Sequence, residues 1–362
     1  MKILFLSAAN SIHTVRWVNS LVKNGNEVHL VYNADHQPTM QNKVDERVIQ
    51  YKLKYKGNIA YYFNAIELNK IYKKVNPDVV NAHYASGYGT LARVAKLKNV
   101  LLSVWGSDVY DFPYQSMLKK YILKKNITYA NYIASTSKNM AKQVEKIMDK
   151  NMKIFITPFG VDIQKFKYDT KKSLQFTFGV VKTLEVKYGI EYIIKAFSIL
   201  LEKIKNEKLE YDIILKIYGD GGIKNQLKNL CEQLNIEQQV KFEGYIPNTE
   251  VPKVLNEMDI FCVGSILDSE SFGVAAVEAM SCQIPVIASD ADGFKEVIID
   301  KETGYIVPKK DEKIMAERMY ELMINDEKRK SMGKKGRERV EQLYNWDNNV
   351  ENMEQIYKKI MK

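Results

Sequence analysis

The stretch MDIFCVGSILDSESFGVAAVEAMSC, Met258 to Cys282, changes character twice along its length. Its opening, MDIFCVGS (Met258–Ser265), is short, apolar and β-prone, whereas Val274–Cys282 is rich in Val, Ala, Glu and Met and reads as a helix. A strand therefore feeds a loop, and the loop feeds a helix. Glu270, Ser271, Phe272 and Gly273 then fall at the carboxyl edge of a sheet, where open α/β folds bind ligands. Two carboxylates, Glu270 and Glu278, flank an otherwise apolar run at that edge.

The same alternation extends outward in both directions. Around the opening stretch lie strand QFTFGVV, helix GIEYIIKAFSILLEKI, strand YDIILKIYG, helix KNQLKNLCEQL, strand VKFEGYI and helix EVPKVLNEM, followed by strands IPVIAS and GYIVP. The first half repeats the theme with strand KILFLS, helix TVRWVNSLVKNG and strand EVHLVY, then DVVNAHY, a helix around GTLARVAKL, strand VLLSVW, the strand–helix YIASTSKNMAKQVEKI and the strand KIFITPFGVD. Such alternation implies a parallel sheet covered on both faces. The polar KFKYDTKKS (Lys165–Ser173) reads as a linker, and Asp311–Lys362 reads as helical with charged faces. A chain of 362 residues is long for one core. The expected architecture is α/β, with two Rossmann-like domains whose parallel sheets face each other across a cleft. The expected limits are 1–165 for the first domain and 166–345 for the second, with a helix at 346–362 crossing back toward the first.

Composition narrows the function classes. Residues 1–165 hold 24 Lys and Arg against 11 Asp and Glu, and residues 166–362 hold 30 against 33, so all the excess base lies in the first half. The densest stretch, SMLKKYILKKN, interleaves Lys119, Lys120, Lys124 and Lys125 with Met117, Leu118, Tyr121 and Ile122. Drawn as a helix, it suits an anionic membrane surface, although a solvated helix of a lysine-rich chain would carry the same residues. No apolar run approaches the roughly 20 residues of a membrane helix, and ILFLSAA is too short for a signal segment, so a cytoplasmic protein is expected. Cys231, Cys262 and Cys282 are odd in number and far apart, and His13, His29, His36 and His83 lack ligand spacing, so neither disulfides nor metal chemistry is expected.

In the second half, YGDGG (Tyr218–Gly222) ends a strand and opens a helix, so Gly219 and Asp220 could lie close to a ligand; Gly-Asp-Gly is also an ordinary turn. Lys182 and Lys187, between the domain's first strand and first helix, could neutralise a diphosphate or be plain surface lysines. A carboxylate accepts two hydrogen bonds and so suits a vicinal diol. Glu278, in the second turn of its helix, could thus reach a ribose, and Glu270 could hold sugar hydroxyls. Taken singly, Glu270 reads better as a plain loop acid and Glu278 as an exposed helix acid favoured by the dipole.

Together these segments resemble the family 4 retaining glycosyltransferases of the GT-B fold. ESFGVAAVE matches that family's E-x-F-G-x-x-x-x-E pattern, and GVVKTLEVKYGIEYIIKAF resembles its basic loop and following helix. YGDGG resembles its glycine turn, TPFGVDIQKF its interdomain segment, and IPVIASDADGFKEVI with TGYIVP its closing strands. The resemblance implies transfer of a sugar from a nucleotide-diphosphate sugar, UDP favoured over GDP, without metal or cofactor and with retention. It implies that Lys182 and Lys187 hold the diphosphate, Glu278 the ribose, and Glu270 with Ser271, Phe272, Gly273 and Val274 the sugar. Gly219, Asp220, Gly244 and Tyr245 would line the donor, with the base near Gly244–Pro247.

The first domain departs from that pattern. SAANSIHTVRW has Ala8 and Ala9 where many relatives carry a glycine pair, and SVWGSD has Trp105 where many carry a histidine before glycine. The roles of Trp105 and Asp108 are left open, and His13, Arg16 and His83, expected to border the cleft, complete the acceptor-side candidates. Each could equally be a hydrogen-bonded structural residue. A basic first domain beside a neutral second one resembles transferases that visit the inner membrane face for lipid-linked glycans in capsule, exopolysaccharide or O-antigen synthesis. Rival readings are a sugar-nucleotide epimerase of the same fold and a catalytically silent partner subunit. A nucleic-acid partner is not expected, because no recognition helix or aromatic RNA-binding signature is present.

Overall fold

The structure, a computed structural model, describes residues 1–40, 42–170 and 175–361. The chain divides into two compact units, one formed by Met1–Phe159 with Asp347–Lys362 and the other by Gly160–Trp346.

In the first unit seven strands form one sheet: β1 (Lys2–Leu6), β2 (Glu27–Tyr32), β3 (Ile49–Lys52), β4 (Val79–His83), β5 (Val100–Val104), β6 (Tyr132–Ser135) and β7 (Ile154–Ile156). The order is β3-β2-β1-β4-β5-β6-β7, with every pairing parallel. β1, β4 and β5 are buried almost throughout, as continuous apolar runs must be when helices cover both faces of a sheet. The chain reverses its direction of winding between β1 and β4, so the carboxyl ends of those two strands form the crossing point where such sheets take ligands. Helix Trp346–Ile360 packs onto this unit: Tyr357 is fully buried, and its hydroxyl donates to Asn81 Oδ1 on β4 at 2.7 Å.

The second unit holds six strands: β8 (Phe176–Val181), β9 (Ile213–Tyr218), β10 (Val240–Gly244), β11 (Ile260–Val263), β12 (Val286–Ser289) and β13 (Gly304–Val307). They pair in parallel in the order β10-β9-β8-β11-β12-β13. Its crossing point lies between β8 and β11. Phe178, Val180, Ile217 and Cys262 of the sheet are buried together with Ile193, Phe197 and Leu200 of helix Ile190–Asn206 and Met319 of helix Glu312–Ile324.

The structure differs from the sequence reading in several segments. Strand β3 and the helices Ala60–Phe63 and Ala65–Val75 occupy a stretch in which the sequence reading places no element; IQYK alternates over only four residues, and three of the four are exposed on an edge strand. The short helices Ser107–Tyr110 and Asp292–Val297 are likewise additional. The polar stretch from Lys165 is not a free linker over its described part. Phe166 is buried, and its carbonyl accepts from Ser281 Oγ at 2.5 Å and from Arg337 Nη1 at 2.7 Å. Residues 171–173 of that stretch lie outside the described residues.

Candidate active site

At the crossing point of the second sheet, β8 ends at Val181 and delivers Lys182, while β11 ends at Val263 and opens the loop that carries Glu270. The ammonium of Lys182 donates to Glu270 Oε2 at 2.5 Å, and Ser265 Oγ stands 3.5 Å from the same oxygen. Only 22% of the lysine side chain and 12% of the glutamate side chain meet solvent, so the pair is less screened than a surface salt bridge. Lys182 Nζ also lies 4.3 Å from the centre of the Tyr188 ring, a favourable cation–π distance.

Lys187 reaches the same ring at 5.0 Å but turns outward to Glu185, 2.9 Å away. The hydrogen bond that Lys187 donates to Glu185 holds its amine above its usual range. Two cations thus flank one aromatic ring just ahead of helix Ile190–Asn206. Both are paired, but one is inserted and the other exposed.

The glycine turn supports this arrangement from behind. Gly219 has φ +137°, and a Cβ there would stand 2.0 Å from the carbonyl oxygen of Lys182. The backbone is knitted across the contact: the Lys182 N–H donates to Tyr218 O at 2.9 Å, Leu184 N–H to Asp220 O at 3.0 Å, and Gly219 N–H to Gly244 O at 2.7 Å. The turn therefore places the lysine. The Asp220 carboxylate accepts from Gly221 N–H at 2.8 Å, which together with Lys224 lowers its pKa, and its side chain is mostly exposed. Gly244, at φ +80°, ends β10, and Tyr245 beyond it is exposed.

The Glu270 loop is shaped by a residue that sequence reasoning missed. Gly293, in helix Asp292–Val297, donates its N–H to Glu270 O at 3.0 Å, and a Cβ on it would lie 2.4 Å from that oxygen and 2.5 Å from Phe272 N. Only a bare α-carbon lets the loop pass so close. Ser271 and Phe272 are buried, and the Phe272 ring packs edge-on to Tyr344 at 5.4 Å. Gly273 precedes helix Val274–Ser281, where Glu278 is buried to 9% exposure rather than left as a solvated acid. Ser289 Oγ donates to Ser265 O at 2.6 Å, tying the end of β12 to the same loop.

The first-unit candidates gather at the carboxyl edge of the first sheet as an aromatic cluster. His13 stacks on Phe159 with centroids 4.2 Å apart, and Trp105 lies edge-on to both, at 5.9 Å from His13 and 5.4 Å from Phe159. Burial, helped by the positive charge of Arg16, holds His13 at a pKa of about 4. His83 does not border an opening: it is fully buried, stacked on Phe5 at 4.2 Å and covered by Trp105 at 4.6 Å. Its Nε2 donates to Asn81 Oδ1 at 3.0 Å, and burial holds its pKa near 3, so the ring stays neutral. Asp108 is buried and accepts from the backbone N–H groups of Ala85, Trp105 and Gly106 at 2.8, 3.1 and 2.9 Å. Its carboxyl, raised by burial, is a clamp on the loops that follow β4 and β5.

Among the described residues no group of three or more His, Cys, Asp or Glu could hold a metal ion, and no helix is long and apolar enough to cross a membrane.

Comparison with known proteins fits these observations. Residues 162–339 match the family model described as glycosyl transferases group 1, and residues 2–137 match glycosyl transferase 4-like. An uncharacterized glycosyltransferase of Methanocaldococcus jannaschii is 26% identical over 95% of this chain and 93% of its own length. The capsular polysaccharide biosynthesis glycosyltransferase CapM of Staphylococcus aureus is 25% identical over 95% of this chain and 93% of its own. The solved structure of Anabaena HepE in complex with UDP superposes with a TM-score of 0.81 at 15% identity, covering 99% of this chain and all of the other; this likeness shows a shared fold. The match to a glycosyl transferase 4-like model followed by a group 1 glycosyl transferase model, together with the fold and the relatives, supports a GT-B glycosyltransferase.

Proposed function

We propose that the protein is a retaining, metal-independent glycosyltransferase that moves a sugar from a nucleotide-diphosphate sugar, UDP favoured, to a hydroxyl of a lipid-linked glycan in surface-polysaccharide synthesis. The observation that carries this reading is the Lys182–Glu270 pair at the crossing point of the second sheet, at 2.5 Å, backed by the glycine turn and the buried Glu278. Breaking the bond between the anomeric carbon and the diphosphate builds negative charge on the leaving oxygen, and a preplaced ammonium stabilises that charge as it develops. Lys182 takes this role, with Lys187 on the other phosphate. Glu270 accepts from sugar hydroxyls and Glu278 from the ribose diol.

Front-face attack retains the configuration: the acceptor oxygen bonds to the anomeric carbon on the side the diphosphate leaves, and the acceptor proton passes to the departing phosphate oxygen. Support for a polysaccharide acceptor comes from relatives named for capsule and colanic acid biosynthesis. Support for a membrane-held one comes from helix Met117–Tyr129, where Met117, Leu118 and Tyr121 are exposed beside four lysines, the pattern of an interfacial helix on anionic lipid. The inner membrane face is the proposed location.

The test incubates the protein with UDP-glucose, UDP-galactose and UDP-N-acetylglucosamine and a bacterial lipid extract, with and without EDTA. UDP release that depends on the extract, persists in EDTA and yields an α-linked product by NMR is the expected result. A β-linked product from these α-linked donors overturns retention. Conversion of the sugar nucleotide without acceptor favours an epimerase, and donor binding without turnover a silent subunit.

A further inference from the structure

The first unit contains a cavity of about 650 Å³ that the donor chemistry does not use. Its volume is that of a small-molecule site. Tyr61, Tyr62, Tyr84, Tyr88, Phe112 and Leu118 supply the aromatic and much of the aliphatic part of its wall. Ala8, just after β1, and Tyr84, just after β4, place its inner end at the crossing point of the first sheet.

Two of the polar side chains of this wall are engaged elsewhere. Tyr88 Oη accepts from the Asn33 N–H at 3.2 Å and meets His36 Nδ1 at 2.8 Å, while Thr90 Oγ1 donates to Ser86 O and accepts from Asn126 Nδ2. Tyr61 fits edge-on to Tyr88 at 5.5 Å because residue 87 is glycine, where a Cβ would stand 2.9 Å from the Tyr61 ring. Burial pushes the Tyr61 and Tyr84 phenols up to about 12, as an apolar setting does. Lys119 is the lone Lys, Arg, Asp or Glu of the wall among the described residues.

The outer end of the cavity opens into exposed apolar surface. Leu118 and Tyr62, both wall residues, are 66% and 44% exposed, and Met117, Tyr121, Phe63 and Ile59 beside them in sequence are 82%, 56%, 61% and 58% exposed. Clustered exposed apolar groups of this size mark interaction surfaces. Lys119, Lys120, Lys124 and Lys125 lie on the same helix as Leu118 and Met117, in the half of the chain that holds all the excess positive charge.

We infer that this cavity is the lipid subsite of the acceptor: it takes the head-proximal part of the apolar chain of a polyprenyl-phosphate-type lipid, drawn from the membrane past Leu118 and Tyr62. Charge complementarity selects the occupant, because the Lys119 ammonium beside an otherwise uncharged, largely aromatic wall fits an anionic head on an apolar chain. The inference rests on the proposed membrane-held acceptor and assigns it a place.

The test is calorimetric titration with farnesyl phosphate below its micellar concentration. Farnesyl phosphate is expected to bind the wild type. Ile122→Trp or Leu118→Trp, each filling the cavity from its rim, is expected to weaken binding at least about tenfold without lowering the Tm. Lys119→Glu is expected to weaken it as well. Met117→Ser with Tyr121→Ser, outside the wall, is expected to reduce binding to vesicles of phosphatidylcholine and phosphatidylglycerol while leaving farnesyl phosphate affinity unchanged. No binding, equal binding by both filled variants, or displacement by inorganic phosphate or maltose overturns the subsite. UDP is titrated into the same samples: UDP binding without farnesyl phosphate binding sinks this inference alone, whereas loss of both sinks the donor reading too.

Discussion

Replacing Gly293 by Ala tests how tightly the Glu270 loop is held. The new Cβ would stand 2.4 Å from Glu270 O and 2.5 Å from Phe272 N, both backbone atoms that cannot swing aside like a side chain tip. Ordinary contact begins about 1 Å farther out, so the loop must move by roughly that distance or the helix Asp292–Val297 must back away. Overpacking of this kind costs about 1–3 kcal/mol, which for a unit of this size lowers the Tm by about 2–12 °C. The larger effect falls on transfer, because a misplacement of about 1 Å in a catalytic arrangement can cost about 100-fold. The assays are a thermal melt and the rate of UDP release from the active donor. A Gly293→Ala protein with wild-type Tm and wild-type turnover would refute the claim that this contact shapes the site.

Two further outcomes follow from the first unit. His13 and His83 are held at pKa values of about 4 and 3 by burial, below the roughly 6.5 of an unfolded histidine. The unfolded chain therefore binds more protons between those values, and the stability present above pH 6.5 is lost as pH falls toward 4. Asp108, raised by burial, acts in the opposite sense at lower pH. Thermal melts from pH 7 to 4.5 should show the loss, and His13→Phe should flatten it; identical profiles would remove His13 from the account. On the membrane side, Lys124→Glu with Lys125→Glu should weaken binding to anionic vesicles several-fold at low salt and less at high salt, measured by co-sedimentation. Salt-independent binding would contradict the electrostatic part of the surface.

Much of this fold is legible in the chain because parallel strands buried on both faces are written as plain apolar runs. KILFL, VVNAH and VLLSV announce β1, β4 and β5, and IFCV announces β11. Edge strand β3 is hard to read, since IQYK lacks the apolar run and its alternation spans only four residues. The site divides in the same way. Lys182 and Glu270 stand out because they follow strands, and their 88-residue separation closes to 2.5 Å only through the strand order. Gly293 could not be found that way, because its importance lies in a neighbour brought to it from another loop. Lys187 shows the limit of spacing arguments: it lies near Lys182 in sequence, yet Glu185 draws it outward. His83 likewise ends a strand as expected, but Trp105 and Phe5 enclose it.

The central claim is that the carboxyl edge of the second sheet binds a nucleotide diphosphate through Lys182. Calorimetric titration of UDP into the wild type and Lys182→Ala tests it most directly. A charge-assisted hydrogen bond contributes about 1.5–3 kcal/mol, so the variant should bind UDP about 10- to 150-fold more weakly while keeping a cooperative melt. UDP binding of equal strength in a folded Lys182→Ala protein would contradict the account.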